Sequence, residues 1–197
     1  MYSENQLIQA CLKNNNEAQR QFYLRYAPLL KGICMRYLKD KDKVSDLLQE
    51  SFIKIFQNLA KYNGEGSFEG WLKRITVNLC IDHINKNKKL FEVALTDSDE
   101  QTEQDNGNDS DIISQLIDAG YTKQMLLDIL HSLPLNYGSV FNLYFIDDWS
   151  HQEIAAHLQI TEALSRKWLF RAKDLVKKQL LLILESNNNQ KNVYEEI

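Results

Sequence analysis

The segment Thr96–Asp111, TDSDEQTEQDNGNDSD, contains no large apolar side chain. Such a stretch buries too little surface to offset the entropy of ordering it. It predicts a disordered linker, so the chain on either side must find its own core. The division is electrostatic as well. Between Phe91 and Thr122 there is no Lys or Arg, but Glu92, Asp97, Asp99, Glu100, Glu103, Asp105, Asp109, Asp111 and Asp118 all fall there. The chain carries a net charge of −4, and without those nine acids the remainder carries +5. The total alone argues against nucleic acid; the distribution describes two mildly basic parts joined by an acidic one.

On both sides of the linker, apolar residues recur at helical spacing, and Pro28 and Pro134 are the only prolines. An all-α fold follows. Ser3 with Gln6 forms a capping box that starts a first helix. Further helices are expected at about Glu17–Leu38, Lys43–Lys61 and Phe68–Lys88, with Pro28 bending or interrupting the second. Beyond the linker they are expected at about Ile112–Leu133, Tyr137–Ile146, Gln152–Leu158 and Glu162–Leu184, and the tail ESNNNQKNVYEEI should fray. No apolar run reaches membrane-spanning length, and the N-terminus lacks the basic-then-apolar order of a signal peptide. The cytoplasm is the expected location, without membrane insertion. Cys11, Cys34 and Cys80 are far apart and never form a C-x-x-C pair, so buried thiols are expected rather than disulfides. Cys80 and His83 supply two ligands at most, too few for a metal site. Neither a metal nor another cofactor is expected.

The stretch SHQEIAAHLQITEALSRKWLFRAKDLVKK has the form of a helix-turn-helix. Ser150 with Glu153 makes a second capping box, Gln159-Ile160-Thr161 is a tight connection with Thr161 as a cap, and Ala155 and Ala156 allow two helices to cross closely. On the second helix, Leu169, Ala172 and Val176 define a buried side. Lys167, Phe170, Arg171 and Lys178 point the other way, with Arg166 on the flank. A basic helix with one aromatic suits the major groove, where cations hold phosphates or guanine edges and a ring covers a thymine methyl. The competing reading is a solvated amphipathic helix. His151 and His157 are expected at or near the surface of the short helix.

In the N-terminal part, YNGEGSFEGWLKRI places Gly64, Gly66 and Gly70 among Tyr62, Phe68 and Trp71, just before Lys73 and Arg74. The helix that follows is apolar over most of its circumference, through Leu72, Ile75, Val77, Leu79, Ile81 and Ile84. Its polar strip is narrow: Arg74, Asn78, Asp82, Asn85 and Lys89. The preceding helix buries Leu48, Phe52, Ile55 and Leu59, and its opposite face sets Ile53 among Asp46, Gln49, Glu50 and Gln57. An apolar residue ringed by polar ones suits a docking surface.

These blocks resemble a known family. DLLQESFIKIFQNLAKYNGEGSFEGWLKRITVNLCIDHINKNKK resembles region 2 of the extracytoplasmic-function (ECF) sigma factors of bacterial RNA polymerase, in the sigma-70 family. LPLNYGSVFNLYFIDDWSHQEIAAHLQITEALSRKWLFRAKDLVKK resembles their region 4. The resemblance implies two small helical domains, a region 2 bundle at 1–92 and a region 4 helix-turn-helix at 113–185. The flexible acidic linker is then 93–112 and the frayed tail 186–197. It implies a sigma factor that joins core RNA polymerase and selects promoter DNA, monomeric when free, with an anti-sigma factor as a candidate third partner. Asp46, Gln49, Glu50 and Ile53 would dock on the polymerase clamp helices. The minus-ten element would meet Asn63, Ser67, Phe68, Trp71, Lys73, Arg74, Asn78, Asp82, Lys86 and Lys89. The minus-thirty-five element would meet Ser165, Arg166, Lys167, Phe170, Arg171 and Lys178. A glycine-rich loop beside Phe68 and Trp71 offers unstacked bases a place to stack.

This chain departs from the family pattern at Ala163-Leu164, where Gly-Thr is usual, at Trp168, where a polar or basic residue is more common, and at Asn85, where Arg is usual. Trp168 falls beside Leu164 and Leu175 on the wheel, which suits packing within its own domain. The main competitor is a helix-turn-helix repressor or activator acting without sigma activity, its N-terminal helices sensing a signal or dimerising. An enzyme is not expected: no G-x-S-x-G, H-E-x-x-H or glycine-rich phosphate loop accompanies the histidines and cysteines.

Overall fold

The structure, a computed structural model, describes residues 2–86 and 122–194, with side chains as far as residue 182. All regular structure among the described residues is helical. The chain forms two compact units, divided between Asn87 and Lys88. The expected linker at 93–112, the stretch 112–121 and Lys89 lie outside the described residues.

The first unit contains α1 (Glu4–Leu12), α2 (Asn16–Tyr37), α3 (Lys41–Asn58) and α4 (Phe68–Lys86), with a short 3₁₀ turn at Leu59–Lys61 after α3. Local chemistry sets the starts. Ser3 and Gln6 make the expected capping box, Asn15 accepts from the Ala18 amide at 2.9 Å, and Asp40 caps α3. Each satisfies amides that a helix N-terminus would otherwise leave unpaired. Helix α2 packs against the other three. At its centre the fully buried Phe22 ring meets Tyr26 (4.8 Å between centroids), Phe56 (5.2 Å), Phe68 (5.9 Å) and Phe52 (6.3 Å). Pro28 sits inside α2 without ending it. Pro28 and Leu24, whose carbonyl loses its amide partner, are both exposed, so water can replace the missing bond. The Tyr26 hydroxyl donates to Glu4 Oε2 at 3.2 Å and ties α1 to α2. Buried hydroxyls are met within their own helices, Ser51 by the Leu47 carbonyl and Thr76 by that of Leu72. Cys11, Cys34 and Cys80 are buried thiols outside any disulfide.

The second unit contains α5 (Lys123–Ser132), α6 (Leu135–Phe141), α7 (His151–Leu158) and α8 (Glu162–Tyr194). The expected long helix from Ile112 does not run unbroken into α5. Thr122 is extended (φ −72°, ψ 155°) and caps α5 through the Met125 amide. Helix α6 begins at Leu135 and widens into a π turn at Asn142–Ile146. Helix α8 continues ten residues past the expected end at Leu184, to Tyr194, with no Gly or Pro to stop it. Leu143, Ile154, Val140, Val176 and Trp168 form the core of this unit.

Candidate nucleic-acid interface

The loop before α4 is shaped rather than loose. Gly64 and Gly66 have φ of +82° and +75°, and a Cβ built at either would meet nothing within 4 Å. The glycines are required by backbone conformation, not by close approach. Asn63 Oδ1 accepts from the Glu65 amide at 3.1 Å, and the Tyr62 hydroxyl donates to the Gly66 carbonyl at 3.1 Å. Ser67 then caps α4, accepting from the Gly70 amide at 3.3 Å.

Two aromatic rings leave this loop in different environments. Phe68 is 2% exposed and contacts Phe22 and Tyr26. It is therefore core, and the expectation that it offers a face to bases is corrected: filling the interior removes it from solvent. Trp71, one turn on, is half-buried and stacks on Phe68 at 5.7 Å with planes 15° apart. Lys73 and Arg74 follow, both exposed, as are Asp82 and Lys86 farther along α4. Asn78 is half-buried, and its Oδ1 is turned inward without a hydrogen-bond partner. For that oxygen to meet a base, the side chain must rotate. The rest of α4 is as apolar as expected, with Leu72, Val77, Ile81 and Ile84 buried.

In the second unit the helix-turn-helix forms from the predicted signals. Ser150 and Glu153 make the capping box of α7. Gln159 closes α7 in the left-handed region (φ 58°, ψ 44°), and Thr161 Oγ1 accepts from the Leu164 amide at 3.1 Å. On α8, Leu169, Ala172 and Val176 are buried, Lys167, Phe170 and Arg171 are half-buried, and Arg166 and Lys178 are exposed. Arg166 pairs with Glu162 at 3.5 Å and Lys178 with Asp174 at 2.8 Å. Exposed pairs of this kind are worth little, so a phosphate can displace either acid.

Ser165 is the second correction. It is 0% exposed, and its hydroxyl lies 2.8 Å from His151 Nδ1. It faces the interior because it shares the wheel position of Leu169 and Ala172, so it fixes α7 against α8 rather than touching DNA. The histidines, expected at or near the surface, are half-buried and make ring contacts. His151 stacks against Tyr144 at 4.8 Å, and His157 meets Trp149 edge-on at 4.5 Å. Sequence spacing gives no hint of the His151–Ser165 pairing, since the residues are fourteen positions apart. Trp168 is 2% exposed, packed within its own unit as its wheel position suggests.

A third surface lies on α3. Asp46, Gln49, Glu50 and Ile53 are all exposed, opposite the buried Leu48, Phe52 and Ile55, and Ile53 is 58% exposed. On α2, Tyr23 and Leu24 are also exposed, and the Tyr23 ring lies 4.7 Å from that of Phe52. Sequence reasoning missed this pair, because on a wheel they read as ordinary flanks of an amphipathic helix.

Two family models match the chain. Sigma-70 region 2 covers residues 22–90, and Sigma-70, region 4 covers residues 123–176; together they take in more than half of it. The chain belongs to the sigma-70 family. The curated relatives it resembles are ECF sigma factors. The ECF RNA polymerase sigma-E factor of Haemophilus influenzae is 22% identical over 177 residues, covering 88% of this chain and 93% of that protein. Those of Salmonella typhimurium (27%) and Escherichia coli K12 (26%) match over 173 residues, covering 86% of this chain and 90% of each. Among solved structures, the sigma factor RpoE in complex with the anti-sigma factor NepR from Bartonella quintana matches with a TM-score of 0.49 and 16% identity. It covers 82% of this chain and 95% of that one. CnrH in complex with the cytosolic domain of CnrY matches with a TM-score of 0.46 and 19% identity, covering 88% and 94%. This sigma factor binds core RNA polymerase and promoter DNA and directs transcription initiation; a helix-turn-helix regulator without sigma activity is not favoured. The family is one of non-enzymatic regulators. No described helix is long and apolar enough to cross a membrane.

Proposed function

We propose that the first unit recognises and melts the minus-ten element through the loop Asn63–Ser67 and the exposed strip of α4, while α8 reads the minus-thirty-five element as duplex. The observation that carries this is Trp71. Its half-buried ring is backed by Phe68 and stands beside a loop fixed by two left-handed glycines, with the exposed Lys73 and Arg74 following. A base that leaves the stack needs an aromatic face, and stacking of this kind is worth about 1–3 kcal/mol per base. Lys73, Arg74 and Lys86 attract phosphates of the displaced strand. Asn63 and Ser67 act by shaping the loop, while Asn78 and Asp82 line the strip beside it. On α8, Arg166, Lys167, Phe170, Arg171 and Lys178 supply the groove contacts. Ala163 and Leu164 at its start, one exposed and one half-buried, tune which bases are read.

The α3 face of Asp46, Gln49, Glu50 and Ile53 docks on the clamp helices of the polymerase. The working units are the region 2 domain, ending near residue 92, and the region 4 domain from about residue 113. The free protein is a cytoplasmic monomer that can be held by an anti-sigma partner. The test replaces Asn63–Ser67 with an unrelated flexible loop. Open-complex formation, read as permanganate reactivity of unpaired thymines, should be lost while polymerase binding persists. Unchanged melting refutes the assignment.

A further inference from the structure

Tyr62 stands outside the residues assigned to DNA, yet it holds both parts of the proposed minus-ten site. Its hydroxyl donates to the Gly66 carbonyl at 3.1 Å, so the loop closes around its own first side chain. Its amide is fixed to the Leu59 carbonyl at 3.2 Å, at the end of the 3₁₀ turn after α3. Its ring meets Phe68 at 4.9 Å and Trp71 at 5.6 Å. One side chain therefore couples the path of Asn63–Gly66 to the orientation of the tryptophan ring. The glycines between them supply the left-handed conformations that let the loop turn back so sharply.

We propose that Tyr62 is a positioning residue for promoter melting, its hydroxyl holding the Asn63–Gly66 loop and its ring holding Trp71 in the arrangement that receives a displaced base. The inference rests on the reading of Trp71 and this loop as the minus-ten reader. Its physical basis is preorganisation. A loop already ordered in the free protein does not lose conformational entropy when a base arrives, so the gain appears in base capture. The hydrogen bond is exposed, and such a bond adds little to global stability. Deleting it separates positioning from folding.

The test uses the full chain with core RNA polymerase, as wild type, Tyr62→Phe, Tyr62→Ala and Trp71→Ala. The probes are a promoter found by mapping transcript starts after overexpression, and a single-stranded oligonucleotide of its minus-ten non-template strand beside a scrambled one. Tyr62→Phe keeps the ring and loses only the hydroxyl. It should retain thermal unfolding and polymerase affinity, yet lose about three- to tenfold in permanganate reactivity and in preference for the cognate strand. Tyr62→Ala, which also frees Trp71, should lose more. If Tyr62→Phe matches wild type on both DNA readouts while Trp71→Ala abolishes melting, the role of Tyr62 is overturned and that of Trp71 stands. If Tyr62→Phe lowers thermal stability and polymerase affinity together with DNA binding, the residue is merely structural and the proposal fails. If Trp71→Ala also melts normally, the minus-ten reading itself falls and takes the inference with it.

Discussion

Helices α4 and α8 both carry exposed cations over a buried apolar side, yet they are supported in opposite ways. Helix α4 sets exposed Lys73, Arg74, Asp82 and Lys86 against buried Leu72, Val77, Ile81 and Ile84, and its aromatic Trp71 is half-buried at the helix start beside a shaped loop. Helix α8 divides into buried and exposed sides in a similar proportion but keeps its tryptophan, Trp168, inside. In the first, an aromatic ring is left partly exposed next to a fixed turn, an arrangement suited to bases taken out of a duplex. In the second, the aromatic stiffens the platform from beneath and the contacts are left to flexible cations, which suits an intact groove. On the proposed reading, the same residue type serves a binding surface in one unit and a foundation in the other.

The contrast can be broken most forcefully at Trp168. Trp168→Ala empties a core position, and truncation of a buried tryptophan costs about 3–5 kcal/mol. Unfolding of the full chain followed by calorimetry and by amide exchange should show protection lost in 122–182 and kept in 2–86. Equal loss in both would mean that the units share stability. The next largest effect is expected at Trp71. Trp71→Ala should cost about 1–3 kcal/mol of base stacking, seen as reduced affinity for the unpaired minus-ten strand at unchanged affinity for duplex minus-thirty-five DNA. Arg171→Ala should do the reverse, and if it makes a phosphate contact the salt slope of duplex binding falls by about one. A mutation that impaired both elements equally would erase the distinction.

Smaller effects refine it. Gln159 adopts a left-handed conformation that costs a side-chain-bearing residue roughly 1 kcal/mol. Gln159→Gly should therefore raise the thermal stability of the second unit by up to about 1 kcal/mol, partly offset by the greater freedom of glycine in the unfolded chain. A loss of stability larger than the roughly 0.4–1 kcal/mol expected from glycine's freedom in the unfolded chain would show that the turn is not strained. The smallest effect is alkaline. Burial raises the Cys11 thiol above its ordinary value of 9.0, so the folded form prefers the neutral thiol. That preference is fully present below the unfolded pKa and fades as pH rises through the folded one, so the first unit should weaken above about pH 9. Cys11→Ala should flatten the slope of denaturant midpoint against pH; an unchanged slope removes the thiol as its source.

What could be read from residues alone was mostly local. Ser3, Ser150 and Thr161 announce helix starts because a cap and its amide lie three residues apart, and each forms as expected. Burial along α4 and α8 followed the helical period closely enough to place Trp168 inside. The failures lie where two readings share one wheel position. Phe68 and Trp71 are both aromatic and nearly adjacent on the helix, and only the packing of Phe22 and Tyr26 against one of them decides which is core. Ser165 is small and polar among basic neighbours, so it reads as a base contact until His151, from another helix, is found against it. Thr122 carries a capping signal, but the apolar period before and after it invites a continuous helix. Long-range pairing, not propensity, settles each case.

The empty surroundings of Gly64 and Gly66 have one more implication. With nothing within 4 Å of a side chain added at either position, the constraint is one of handedness and not of room. L-alanine at either position should therefore distort the turn through its backbone preference alone, although its methyl group would meet no neighbour.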